Sequence, residues 1–155
     1  MASCPACRAE VAAGTRWCGL CHTFVTNPAV GRLASPAKRL GALVLDIVIP
    51  LLAAVFLGGL VAGGGLLVFI LLIAFVVWEI RLFARGTTPG KHALGMLVVK
   101  ETGEPAGFGT MLLREWIGKF ISGLVFSLGY LWILIDKDRQ GWHDKLASTY
   151  VVEKG

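Results

Sequence analysis

Charge is what this sequence lacks most. Asp, Glu, Lys and Arg make up 16% of the 155 residues, against about 25% in ordinary soluble domains. The shortage is local, since no charged residue occurs between Asp46 and Glu79. An evenly solvated chain is excluded, and a soluble head joined to a lipid-embedded body is expected. Cysteine is absent after Cys21, so no disulfide framework ties the chain together. No nucleophile motif built on Ser or Cys is present. Thr87-Thr88-Pro89-Gly90-Lys91 has the composition of a phosphate loop but lacks the Gly-x4-Gly-Lys-Ser/Thr spacing. Enzyme chemistry is therefore not expected.

What is present begins with four cysteines, Cys4, Cys7, Cys18 and Cys21. They form two C-x-x-C knuckles with no signal-like stretch before them, which points away from a secreted disulfide fold. Four thiolates at this spacing suit a tetrahedral Zn2+ site. So short a segment has no core of its own, and the metal would supply its folding energy. Residues 1–25 are expected to be a zinc ribbon and 26–37 a linker, punctuated by Asn27-Pro28, Gly31 and Ser35-Pro36. Ser35-Pro36 also reads as an N-cap followed by proline at the first helical position.

The rest, 38–155, reads as a mainly α-helical membrane domain. Leu40–Ala62 has 23 residues and one charge, Asp46; about 20 apolar residues cross a bilayer. Gly63-Gly64-Gly65 makes an uncharged turn, and Leu66–Phe83 is a second span. Arg8, Arg16, Arg32, Lys38 and Arg39 precede the spans, and Arg81, Arg85, Lys91 and Lys100 follow them. Basic flanks around a neutral loop place both flanks in the cytoplasm of a multi-pass plasma-membrane protein. The five tryptophans suit the bilayer interface.

The third apolar region, 108–135, carries Arg114, Glu115 and Lys119, leaving only Ile121–Ile135 uncharged. That is roughly 22 Å of helix, short of a hydrocarbon core of about 30 Å. An amphipathic interfacial helix feeding a re-entrant hairpin is expected, with Gly123, Ser127 and Gly129 as the place to turn back; a full crossing is the alternative. Leu94–Lys100 and Ser148–Val152 have strand character and are expected to pair into a small cytoplasmic sheet.

The motifs A-K-R-L-G-A-L-V-L-D (37–46), G-T-T-P-G-K (86–91) with the following L-G-M-L-V-V, Leu113-Arg114, and D-K-D-R-Q-G-W-H-D-K-L-A-S-T-Y-V-V (136–152) occur in that order. In them the chain resembles the RDD family of bacterial membrane proteins, over about Pro36–Glu153. The family takes its name from an arginine and two aspartates. The resemblance assigns the arginine to Arg39 and the first aspartate to Asp46. The second matches Asp144, with Asp136 competing. It implies transport of an unidentified ligand, with cation/proton antiport in some relatives, and implies nothing for the cysteine segment.

Asp46 lies about 9 Å beyond Leu40 along a helix. A lipid-facing carboxylate there costs about 2.5 kcal/mol or more, so it should face protein or water. Pro50 cannot donate to the Asp46 carbonyl, which adds a freed acceptor beside the carboxylate. Arg39, seven residues earlier, leans away toward the headgroups. Asp46 is expected either to pair with a cation of the third region such as Arg114, or to serve as a proton or cation site. Lys91 is expected at the lipid surface. Asp144 is expected to tie the tail to the Gly86–Lys91 turn, with His143 adding pH sensitivity. Transport would need a homo-oligomer, which Gly59-x3-Gly63 and Gly58-x3-Ala62 permit. The alternative is an adaptor recruiting a cytosolic protein through the zinc ribbon. The ribbon's weak basic excess argues against nucleic acid.

Overall fold

The computed structural model describes residues 2–60, 65–118, 120–121 and 128–153. The Gly63-Gly64 turn, the distal ends of both small-x3-small patterns, Lys119, and the turning point at Gly123 and Ser127 lie outside the described residues.

The cysteine segment holds a two-residue hairpin, β1 (Ala2–Ser3) and β2 (Glu10–Val11). The stretch read as a linker does more than connect: β3 (Arg32–Leu33) joins a sheet. Helix α1 (Pro36–Leu60) starts where Ser35-Pro36 indicates, with Ser35 Oγ accepting the Lys38 N–H at 3.2 Å, and it continues through Pro50. Helix α2 is Gly65–Ala84. Both are long and apolar enough to cross a membrane, and only 11% of the most apolar window of each is buried. The core helix of a soluble protein would be mostly covered.

After α2 come the short helix α3 (Pro89–Ala93), strand β4 (Met96–Lys100), α4 (Phe108–Leu112) and a wide π-type turn over Leu113–Gly118. Then follow α5 (Leu128–Leu131), a 3-10 turn (Trp132–Leu134), α6 (Trp142–Leu146) and β5 (Thr149–Glu153).

The expected strand pair is a three-stranded antiparallel sheet with β5 in the middle. Val98 faces Val151 across β4–β5, and Leu33 faces Val152 across β3–β5. Side chains alternate between faces along a strand, so the two faces bury different cores. Met96, Val98 and Val151 pack with Ala34, Ala42, Ala106 and Met111 of the helical body. Val99, Tyr150, Val152 and Leu33 pack against Trp17 of the cysteine segment. The sheet is thus the middle layer between body and head, and the body supplies the support that a bare strand pair lacks.

Polarity runs inside out in the body. On α1, Arg39 is buried while Ile47, Leu51, Val55 and Phe56 are exposed. On the π-type turn, Arg114 is buried while Trp116 and Ile117 are exposed. Arg114 and Glu115 of the third region therefore turn inward to protein partners, where an interfacial helix would send them to water.

Candidate functional site

The buried charges form one chain of contacts. Asp46 projects from α1 toward the start of α3. Its Oδ1 accepts the Gly90 N–H at 2.7 Å, and its Oδ2 accepts the Thr88 hydroxyl at 2.8 Å. Lys91 Nζ lies 3.6 Å from Asp46 Oδ2 and donates to Glu115 Oε1 at 2.9 Å. Glu115 also pairs with Arg114. Arg114 continues to Asp144 Oδ1, with Nε at 2.7 Å and Nη2 at 2.6 Å. Asp144 Oδ2 closes the run by accepting from Arg39 Nη1 at 2.6 Å. Three carboxylates alternate with three cations, as buried charges require.

Local structure explains the placement. Thr88 caps α3, its hydroxyl accepting the Lys91 N–H. Pro89 supplies the first-turn geometry, and Gly90 lets the backbone lie directly on α1: a Cβ there would meet the Ala42 carbonyl oxygen at 2.2 Å and the Asp46 nitrogen at 2.9 Å. The π-type turn widens the helix and carries Arg114 and Glu115, adjacent in sequence, toward the same interior.

Several sequence-based expectations are corrected here. Asp46 does not pair with Arg114 among the described residues, because the α3 turn reaches its oxygens first, and Arg39 turns inward to Asp144 instead of leaning toward the headgroups. Asp144 joins Arg39 and Arg114 rather than the Gly86–Lys91 turn. Lys91 is buried among carboxylates instead of lying at the lipid surface. The roles of Thr88, Gly90 and Glu115 were not anticipated. Glu115 was visible as a charge in an apolar region, and Thr88 and Gly90 stood inside the G-T-T-P-G-K motif.

Burial alone would raise the Asp144 carboxyl, but Arg114, Arg39, His143 and the Gly141 N–H hold it far below the usual carboxylate range. Burial lowers His143 to about 4, against the opposing pull of Asp144. Asp136 stands apart from this chain. It accepts the Asp138 and Gln140 N–H groups at 3.2 and 3.0 Å and pairs with the exposed Lys145.

A cavity of about 250 Å³ adjoins the buried charges. Arg39, Asp46, Lys91, Arg114, Tyr130 and His143 supply its polar side, and Leu40 and Leu43 of α1 with Leu131 and Leu134 supply much of the apolar rest. Arg39 is 9% exposed, and its Nε and Nη2 have no hydrogen-bond partner among the described residues.

The second site is the cysteine cluster. The four sulfurs all lie within 4.8 Å of one another, with Cys4–Cys21 and Cys7–Cys18 each at 3.5 Å. Tetrahedral zinc with bonds of about 2.3 Å sets its sulfurs about 3.8 Å apart, so the cluster fits one metal ion. The head is fastened to the sheet. Arg16 Nη1 donates to Tyr150 Oη at 2.8 Å and Glu101 at 3.1 Å, and His22 Nε2 lies 2.6 Å from Arg139 Nη2.

Comparison with known proteins gives the family of the domain. The chain is 36% identical over 83 residues to the Proline-rich antigen homolog of Mycobacterium tuberculosis (strain ATCC 25618 / H37Rv), covering 52% of this chain and 34% of that protein. It is 34% identical over 79 residues to the Proline-rich antigen of Mycobacterium leprae (strain TN), covering 49% and 31%. The chain thus spans about a third of the length of these mycobacterial relatives. It is 27% identical over 121 residues to the Bacillus subtilis (strain 168) protein named Uncharacterized protein YckC, covering 73% and 80%. No solved structure matches. The RDD family profile matches residues 33–148, which take in the whole run of buried charges from Arg39 to Asp144, and the chain belongs to the RDD family.

Proposed function

We propose that this chain is a multi-pass plasma-membrane protein with both flanks in the cytoplasm, and that it moves a proton or small cation as an oligomer. The inside-out polarity of α1 and the third region supports the membrane reading, because exposed aliphatic faces and buried charges match a lipid solvent. Two long helices are too few to enclose a path, so the lipid-facing sides of several copies would do so together.

One observation carries the transport reading: the Lys91 ammonium sits between two carboxylates, Asp46 and Glu115. A proton on either carboxylate releases the ammonium to the other. A small cation entering between them competes with the ammonium for the same oxygens. Arg39 and Arg114 are the fixed charges that hold the remainder of the cluster neutral. No enzymatic reaction belongs to this arrangement, and nucleic acid is not a partner in this reading.

The four cysteines hold structural zinc. The adaptor reading, in which the zinc head recruits a cytosolic partner, is weaker because Trp17 and Arg16 fasten the head to the sheet.

The test is reconstitution in proteoliposomes with an internal pH dye and imposed sodium or potassium gradients. Gradient-driven pH change is expected for the unaltered chain and for Asp136→Asn, and is expected to vanish in Asp46→Asn. Equal flux in Asp46→Asn removes Asp46 from the mechanism.

A further inference from the structure

We infer that the Arg39 cavity holds the anionic headgroup of a bilayer phospholipid. A guanidinium has five N–H donors, and Arg39 uses only Nη1, on Asp144. Its Nε and Nη2 are buried without a partner among the described residues. A native structure rarely leaves such groups unmet, and the omission calls for an occupant. These two groups are donors on a cation, so the occupant is an acceptor, and Asp46, the carboxylate on the cavity wall, already has both oxygens engaged by the α3 turn. The planar guanidinium edge suits phosphate oxygens.

The apolar wall says that the anion arrives on a hydrocarbon chain. Leu40 and Leu43 of α1 line the cavity with Leu131 and Leu134. Leu40 and Leu134 are 63% and 66% exposed. Arg39 lies in the first turn of α1, beside Lys38 and ahead of the uncharged stretch, which is headgroup depth for a helix entering a bilayer. About 250 Å³ is below the usual range of about 300–1,000 Å³ for whole ligands. It takes the phosphate end, while the acyl chains lie along the exposed leucines. This inference rests on the membrane part of the proposed function and is independent of ion transport.

The test is native mass spectrometry of the full chain in an uncharged detergent, with phosphatidylglycerol, phosphatidylcholine or inorganic phosphate added separately. One phosphatidylglycerol per chain is expected, at about tenfold lower concentration than phosphatidylcholine requires, with no phosphate adduct. Arg39→Gln should lose the preference. Leu43→Trp fills the cavity and leaves every ion pair intact, so it should lose the adduct in a folded protein. Equal retention of the two lipids, an equally tight phosphate adduct, or an adduct unchanged in Leu43→Trp overturns the inference. Resistance of the chain to carbonate extraction from membranes, measured in parallel, reports the membrane reading by itself.

Discussion

Arg39 and Asp144 meet at 2.6 Å although 105 residues separate them in the chain. The contact joins the first turn of the first long helix to the short helix before the last strand. It therefore closes the domain on itself, and Arg114 shares the same carboxylate from the third region. Asp144 is fully buried, so its charge is worth keeping only while both guanidinium groups are present.

Removing that carboxylate should be costly. Asp144→Asn leaves Arg39 and Arg114 without their shared counter-charge, and a broken buried pair costs about 3–5 kcal/mol. Asp136→Asn breaks a contact with Lys145, which is about half exposed, and should cost no more than about 1 kcal/mol. Thermal unfolding in detergent, followed by circular dichroism, measures both. Equal losses would show that the two aspartates are interchangeable in stability, contrary to their surroundings.

A second substitution probes the seat of Asp46. Gly90→Ala places a methyl group 2.2 Å from the Ala42 carbonyl oxygen. Backbone lies on both sides, so α3 must move away from α1 and withdraw its hydrogen bonds from Asp46. The expected loss exceeds about 2 kcal/mol, at the upper part of the overpacking range. Gly58→Ala on the same long helix meets nothing within 4 Å and should be neutral or slightly stabilising. A Gly90→Ala chain that melts like Gly58→Ala would contradict this packing.

The sequence revealed what periodicity and composition encode. The start of α1 at Pro36, both long helices, strands β4 and β5, and the cysteine cluster were all legible, because each is fixed by neighbours within a few positions. Contacts set by distant partners were not. Asp46 is met by Thr88 and Gly90, over 40 residues away, and nothing local says that a turn rich in threonine and glycine will supply donors. Lys91 reads as a surface lysine because burial among carboxylates comes only from tertiary packing. Strand β3 is two residues in a segment broken by Pro and Gly, and it exists because β5 offers it an edge. The inward turn of Arg114 and Glu115 depends on a π-type turn that no residue pattern announces.

Acid should weaken the fold in two stages. Burial depresses His143 to about 4 in the folded chain, against about 6.5 when unfolded. Between these values the unfolded chain binds the extra proton, so stability falls as pH drops from 6.5 toward 4, by on the order of 3 kcal/mol. Arg39, Arg114, Asp144 and Glu115 surround the imidazole. Below about 4 the depressed carboxyls of Asp144, Asp136 and Glu153 add their own loss, since the unfolded chain then takes up protons that these carboxylates refuse in the fold. Melting temperature measured from pH 7.5 to 4.5 should fall in the native chain and stay flatter in His143→Gln. A matching slope in both would assign the first stage to another group.

The metal should hold the sheet as well as the head. Trp17 is 5% exposed and lies against Leu33, Val99, Tyr150 and Val152, with its ring centroid 5.2 Å from that of Tyr150. Between Cys7 and Cys18 the chain passes through Arg16 and Trp17, so release of the cysteines frees the residues that cover the sheet. A strong chelator should therefore expose four reactive thiols and speed amide exchange over Thr149–Glu153, while the middle of α1 exchanges as before. Trp17→Ala separates the two effects. It deletes the contact at a cost of about 3–5 kcal/mol but leaves the four sulfurs in place, so metal content should hold while Thr149–Glu153 loses protection. If chelation leaves strand exchange unchanged, the head is not part of the sheet's support. If Trp17→Ala sheds the metal, packing on the sheet holds the cysteines rather than the reverse.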